Sequence, residues 1–125
     1  VAKKVFISLP LANKSVKSVR EAWNSAIEQV RDYLNEPFEV IQSLSVDDPP
    51  KAIKSASLWY LGYSLQKLAE ADIAYFSRGW QTARGCKIEY EAAWEYDIDV
   101  LTFDGVWEVL EHRKQVEAEN HDRKV

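Results

Sequence analysis

The 125-residue chain has one cysteine, four glycines and four prolines, and each scarcity excludes something. So little Gly and Pro rules out a collagen-like or low-complexity chain, and the length fits one domain. Cys86 alone cannot form an intrachain disulfide. The two histidines, His112 and His121, both lie in the polar C-terminal part, so no metal-ligand spacing is available. A reducing, cytoplasmic setting is expected, with no metal or organic cofactor. No apolar run approaches the roughly 20 residues of a membrane span. The basic opening Val1-Ala2-Lys3-Lys4 leads into a run too short for a signal-peptide core, so no membrane partner is expected. Positive charge is also scarce: 16 Lys and Arg stand against 20 Asp and Glu, a net charge of −4. The basic residues are scattered rather than striped, which argues against a nucleic-acid polymer as partner. What is present is 46% apolar sequence, enough for a domain of this size to bury a core without a staple.

The apolar pattern alternates between two periods. Lys4 to Ser8 is a short β-rich run stopped by Pro10 and reads as a buried strand. From Ser15, an N-cap, the residues Val16, Val19, Trp23, Ile27, Val30 and Leu34 form a helical stripe ending near Asn35. Phe38 to Leu44 reads as a second strand, and Asp47, Asp48, Pro49 and Pro50 as the longest loop. Ser57 is expected to cap a second helix carrying Leu58, Leu61, Leu65 and Leu68. A third strand follows at 72–76, a third helix runs to about Tyr96, and a fourth strand spans 98–103. A last helix is expected on Val106, Val109, Leu110 and Arg113, within one domain of residues 1–116, followed by a charged tail, 117–125. Strand–helix alternation of this kind predicts a parallel sheet of four to five strands covered on both faces, a small doubly wound, flavodoxin- or Rossmann-like α/β sandwich of three layers. In such sheets ligands bind beyond the carboxyl ends of the strands.

The richest of those loops is Ser77-Arg78-Gly79-Trp80-Gln81-Thr82-Ala83-Arg84-Gly85, which runs into a helix. Two glycines, two arginines and the free N–H groups of a helix start suit an anionic ligand; turn glycines and solvated arginines account for the same residues. Helical spacing sets Cys86, Glu89 and Ala93 on the line facing the sheet, and Glu91 with Lys87 and Glu95 on the solvent line with a possible i,i+4 ion pair. An inward first-turn Glu89 is poised as a nucleophile or sugar-hydroxyl acceptor, or else complements the helix dipole. Ser8 can donate to a ligand or to local backbone. Trp59, Tyr60 and Tyr63 wall a base-sized pocket or form core and interface, and Cys86 reads as a small buried hydrophobe.

Together, Ile7-Ser8-Leu9-Pro10, Trp59-Tyr60-Leu61-Gly62, Ala71 to Phe76, Gly79-Trp80 and Arg84 to Ala93 resemble the nucleoside 2-deoxyribosyltransferase-like superfamily, in its small bacterial and phage branch of unknown function. The resemblance runs from about Lys4 to Phe103, and Gly85, Glu89 and Ala93 are its most specific part. It implies cleavage of the N-glycosidic bond of a nucleoside or nucleotide, by hydrolysis or transfer, with Glu89 as nucleophile. The Ser8 to Pro10 loop would contact sugar or base, and the Arg84-Gly85 helix start would hold a 5′ hydroxyl or phosphate. It also implies subunits that help close the site, hence a homodimer or dimer-built tetramer. Two positions depart from the pattern. Ser64 stands where active members often carry an Asp that handles the leaving base, and Ala83 where a Ser or Asp is common. Both departures favour the alternative, a noncatalytic binder of a nucleotide or NAD-derived small molecule.

Overall fold

The computed structural model describes residues 2–44 and 47–109. Five strands form one sheet: β1 (Lys3–Ser8), β2 (Phe38–Val40), β3 (Ile73–Phe76), β4 (Asp99–Thr102) and β5 (Trp107–Glu108), in the order β2-β1-β3-β4-β5. The first four pair in parallel and β5 pairs antiparallel with β4. Three α-helices connect them: α1 (Val16–Leu34), α2 (Ala56–Leu68) and α3 (Arg84–Glu95).

Burial explains the strand order. In β1 the last four residues are buried in succession and in β3 all four are, as expected of central parallel strands covered on both faces. Alternate side chains divide into two cores. Val5, Ile7, Tyr75 and Leu101 pack with Ala26 and Val30 of α1; Phe6, Ala74, Phe76 and Val100 pack with Leu68 of α2 and Ala93 of α3. Each large side chain buried in this way stabilises the fold by about 1.5–3 kcal/mol.

The helix ends follow from local chemistry. Ser15 caps α1, its hydroxyl accepting from Ser18 N at 3.1 Å, and Asn35 closes the helix in the left-handed conformation, φ 52°. Val16, expected in the buried stripe, is 78% exposed because it lies in the first turn, ahead of the sheet. α2 is capped by Ser55, which accepts from Leu58 N at 3.2 Å, rather than by Ser57, which lies inside the helix. Of two serines two residues apart, the one three residues before a free N–H takes the role. β2 stops at Val40 rather than Leu44, leaving only the Ile41 N–H on the ladder, donating to Val5 O at 2.9 Å.

The expected last helix is overturned where it falls on described residues. Gly105 adopts φ 79°, donates to Thr102 O at 2.9 Å, and turns the chain back as a hairpin into β5. Asp104-Gly105 between two apolar runs is a hairpin signal, and it decides against helix at Val106. The sheet is therefore mixed, not all-parallel. Leu110 and Arg113, His112, His121 and the tail 117–125 lie outside the described residues. Among the described residues no helix is long and apolar enough to cross a membrane.

Candidate functional site

At the carboxyl end of β1 the chain places a serine where the strand leaves the sheet. Ser8 is 1% exposed and, like Phe6 two residues earlier, points to the side of α2 and α3. Across from it, α3 projects Glu89 inward on the same line as Cys86 and Ala93, and these three are the buried residues of that helix. α2 brings Ser64. The three meet: Ser8 Oγ donates to Glu89 Oε1 at 2.7 Å and Ser64 Oγ donates to Glu89 Oε2, so each carboxylate oxygen accepts one hydroxyl.

The electrostatics of this clamp are unusual because no positive charge among the described residues takes part. Among the described residues the ion pairs are Lys3–Glu36, Arg31–Glu28 and Lys67–Glu70, all remote from Glu89. Burial pushes the Glu89 carboxyl above its ordinary value, and the hydrogen bonds from Ser64 and Ser8 oppose that rise without cancelling it. The helix dipole offers little help, since α3 begins at Arg84 and Glu89 stands in its second turn rather than its first. A buried carboxylate without a cation is costly to keep for stability alone, and such groups concentrate at functional sites.

Glu89 lies at the floor of a cleft of about 290 Å³. Its polar surface is Ser8, Ser43, Ser64 and Glu89, and its apolar walls come from Ile7, Leu9, Leu11, Leu44 and Tyr60. The cleft is thus built between the β1–α1 loop, the segment after β2, and the helices α2 and α3. It lies at the carboxyl ends of β1 and β2, while on the other side of β1 the Ser77 N–H still joins β3 to Ser8 O at 3.1 Å. In open α/β sheets this crevice between outward-diverging connections is where ligands bind.

Of the residues singled out in the sequence, Ser8, Leu9, Ser64 and Glu89 line the cleft, and Pro10, Arg78, Gly79, Trp80, Thr82, Arg84 and Gly85 do not. Pro10 packs toward Gly79, whose φ of 91° requires glycine, with Pro10 Cγ 3.5 Å from where a Cβ would stand. Arg78 turns to the other side of the sheet and covers the Phe103 ring at 4.9 Å. Trp80 stacks on Tyr90 at 4.3 Å, and Thr82 Oγ1 donates to Gly79 O at 3.1 Å. Arg84 is exposed at the uncapped start of α3, where Ala83 supplies no side-chain acceptor. Gly85 faces α2, where a Cβ would meet Leu61 Cδ1 at 3.9 Å, an ordinary contact, so the packing does not require a glycine there. Tyr60 reaches the cleft, whereas Trp59 and Tyr63 do not line it. Cys86 is a free buried thiol, pushed up to about 11 by burial. Glu91 is exposed, and the i,i+4 pair with Lys87 is not among the ion pairs of the described residues.

Leu11, Ser43 and Leu44 were not apparent as site residues. Ser43 was hidden inside the run 38–44, although the alternation that buries Ile41 carries on to it. A second depression, of about 270 Å³, lies along α3 between Tyr90, Glu91, Trp94 and Glu95. Two of its polar groups are already engaged, since Tyr90 Oη and Trp94 Nε1 both donate to Glu108 on β5, and Glu91 and Glu95 are exposed.

No protein-family model matches the chain, and no curated protein matches it. Among solved structures it is similar to the crystal structure of a conserved protein from Enterococcus faecalis V583, with a TM-score of 0.56 and 17% sequence identity over 82% of this chain. The chain spans 63% of the length of that protein. At this identity the likeness bears on the fold alone, a mixed α/β arrangement around a mostly parallel sheet.

Proposed function

We propose that the protein is a nucleoside or nucleotide N-glycosidase or 2-deoxyribosyltransferase of the nucleoside 2-deoxyribosyltransferase-like superfamily, built as a doubly wound three-layer sandwich. One observation carries the reading. The only carboxylate lining the cleft among the described residues is buried, held at both oxygens by hydroxyls, and free of any cation that would quench it. A carboxylate so placed is suited to a positively charged, oxocarbenium-like transition state, which supplies the missing counter-charge as the reaction proceeds.

In this reading a Glu89 oxygen attacks the anomeric carbon, and the electrons of the breaking C–N bond leave with the base, which takes its proton from water. The glycosyl ester that results is opened when water or a second base attacks the same carbon, and the carboxylate is released. Ser8 and Ser64 fix the carboxylate so that an oxygen stays aimed at the sugar, and Leu9, Leu11, Leu44 and Tyr60 exclude water around the base. The uncapped start of α3 with Arg84, which lies outside the cleft lining, would receive a 5′ phosphate only from a ligand that extends past the cleft.

The test is incubation with a panel of ribo- and deoxyribonucleosides and their 5′-monophosphates, with free base measured by chromatography. Base release from at least one member by the wild type, lost in Glu89→Gln, supports the reading; no release from any member refutes it. One feature favours a noncatalytic binder instead. By the resemblance, the Ser64 hydroxyl stands where an acid would protonate the leaving base, and among the described residues no second carboxylate lines the cleft. Calorimetric binding of a nucleotide or NAD-derived molecule without turnover is the signature of that alternative. We further propose a cytoplasmic homodimer or dimer-built tetramer, since Leu58 is 65% exposed and Ile88 42% exposed near the helices that flank the cleft. Light scattering of the wild type and of Leu58→Glu measures this directly.

A further inference from the structure

One serine hydroxyl, open to the cleft although its residue is buried, takes no part in holding Glu89. Ser43 is 5% exposed and lines the cleft. Its hydroxyl makes no hydrogen bond to any described residue, whereas those of Ser8 and Ser64 are both committed to the carboxylate. Its position follows from the strand register. β1 and β2 pair in parallel with Val5 opposite Val40, and the Ile41 N–H still reaches Val5 O. Carrying that offset past the end of the ladder sets Ser43 beside Ser8. Ile41 belongs to the core on the α2 and α3 side, so Ser43, two residues on in extended chain, faces that side too. Ser43 therefore lies on the β2 side of Ser8, whereas Glu89 comes from α3, the helix between β3 and β4.

Buried polar groups in folded proteins are paired, and a hydroxyl kept unpaired at the wall of an open cleft is completed by water or by a ligand. The surroundings indicate which part of a ligand reaches it. Leu44 and Leu11 offer aliphatic surface and Tyr60 an aromatic ring, the walls that a flat heterocycle needs, and Ser43 adds a buried residue's uncommitted hydroxyl beside the half-exposed Tyr60 phenol. A serine hydroxyl both donates and accepts, so it serves a 6-oxo and a 6-amino edge equally.

We propose that Ser43 is a specificity-determining residue that hydrogen-bonds the polar edge of the leaving base while Glu89 faces the sugar. This rests on the glycosidase reading above. The test compares wild type, Ser43→Ala and Ser43→Thr on 2′-deoxyadenosine, 2′-deoxyinosine, unsubstituted purine 2′-deoxyriboside and adenosine, with thermal melting to establish that each variant is folded. Ser43→Ala is expected to lose about tenfold in kcat/KM on the 6-amino and 6-oxo substrates and nothing on the unsubstituted purine, with Ser43→Thr retaining most of the activity. An equal loss on all substrates, no loss on any, or a loss that follows the 2′-hydroxyl of adenosine overturns the assignment of Ser43 while leaving Glu89 as nucleophile intact. Absence of base release by the wild type from all four purine substrates overturns the role of Ser43, whereas the glycosidase reading itself falls only if the full panel of nucleosides and 5′-monophosphates also yields no base.

Discussion

Two groups of polar side chains sit near the carboxyl edge of the same sheet, one on each face, and they are satisfied in opposite ways. On the α1 side, Tyr75 Oη donates to Gln29 Oε1, Tyr33 Oη donates to Phe103 O at 3.0 Å, and the Arg78 guanidinium lies over the Phe103 ring. Each group there is either neutral and paired or charged and at the surface. On the α2 and α3 side, Glu89 is ionisable, buried and held only by neutral hydroxyls, beside an open cleft with an unpaired Ser43. The first arrangement is what folding alone favours. The second carries a desolvation cost that stability does not explain, and the difference locates the site more sharply than composition does.

The comparison is broken most directly by removing the charge. In the glycosidase reading, Glu89→Gln is expected to lower base release by on the order of 10⁴-fold with the fold intact, because the amide cannot form the glycosyl ester. Glu91→Gln, on the exposed line of the same helix, is expected to change it less than twofold. Comparable losses in the two variants would mean that helix α3, and not the inward carboxylate, matters. A smaller effect is expected for Ser64→Ala, about tenfold in kcat, with a distinguishing shift in pH dependence. The Ser64 hydroxyl lowers the Glu89 pKa, so its loss moves the acid limb of the kcat profile to higher pH. An unmoved acid limb would reduce Ser64 to a packing residue.

Much of this contrast was legible in the sequence, for identifiable reasons. The central strands announced themselves as short apolar runs, and the 3.6-residue spacing of α3 separated Glu89 from Glu91 before any coordinates, because an inward acid on an apolar line stands out. Arg78, Trp80, Thr82 and Arg84 drew attention by residue type in a glycine-containing loop, but residue type does not say which way a loop folds. That loop tucks its aromatic onto Tyr90 and sends Arg78 across the sheet edge. Ser43 was invisible because its strand leaves the ladder early. The helix expected at Val106 gives way to β5 because the Asp104-Gly105 turn outweighs an apolar spacing that does not by itself distinguish a helix from an edge strand.

Stability sharpens the comparison further, and the sign follows from the raised Glu89 pKa. The folded state holds the proton more tightly than the unfolded chain, whose carboxyl titrates near 4.5. The contribution of this group is therefore complete below that pH and is lost as pH rises through the higher folded value. Glu89→Gln is neutral at every pH, so at pH 7 to 8 it is expected to be more stable than the wild type by about 1 kcal/mol, or about 4 °C in Tm, with the gap closing toward pH 4. Melting curves across pH 4 to 8 test this. A gap that widens toward acid would show Glu89 to be stabilised as its anion, and the cleft would then resemble the α1 side.

The smallest expected effect belongs to the α1 side itself. Tyr75→Phe deletes a hydroxyl whose partner, Gln29, is exposed enough for water to replace the lost donor, so the cost at pH 7 is about 0.5–1 kcal/mol, with kcat/KM unchanged. Burial pushes the Tyr75 phenol up to about 12, with the field of Tyr33 adding to the rise and that of Arg78 opposing it. The unfolded chain ionises from an ordinary value of 10.0, so the wild type loses stability as pH rises from there through about 12, and a phenylalanine does not. Tyr75→Phe should thus be slightly less stable than the wild type at neutral pH, and the difference should shrink or reverse in alkali. Denaturant titrations at pH 7 and pH 11 measure both. A difference that stays constant between the two would place the Tyr75 hydroxyl in contact with solvent, and a loss of base release at pH 7 would join the two faces into one site.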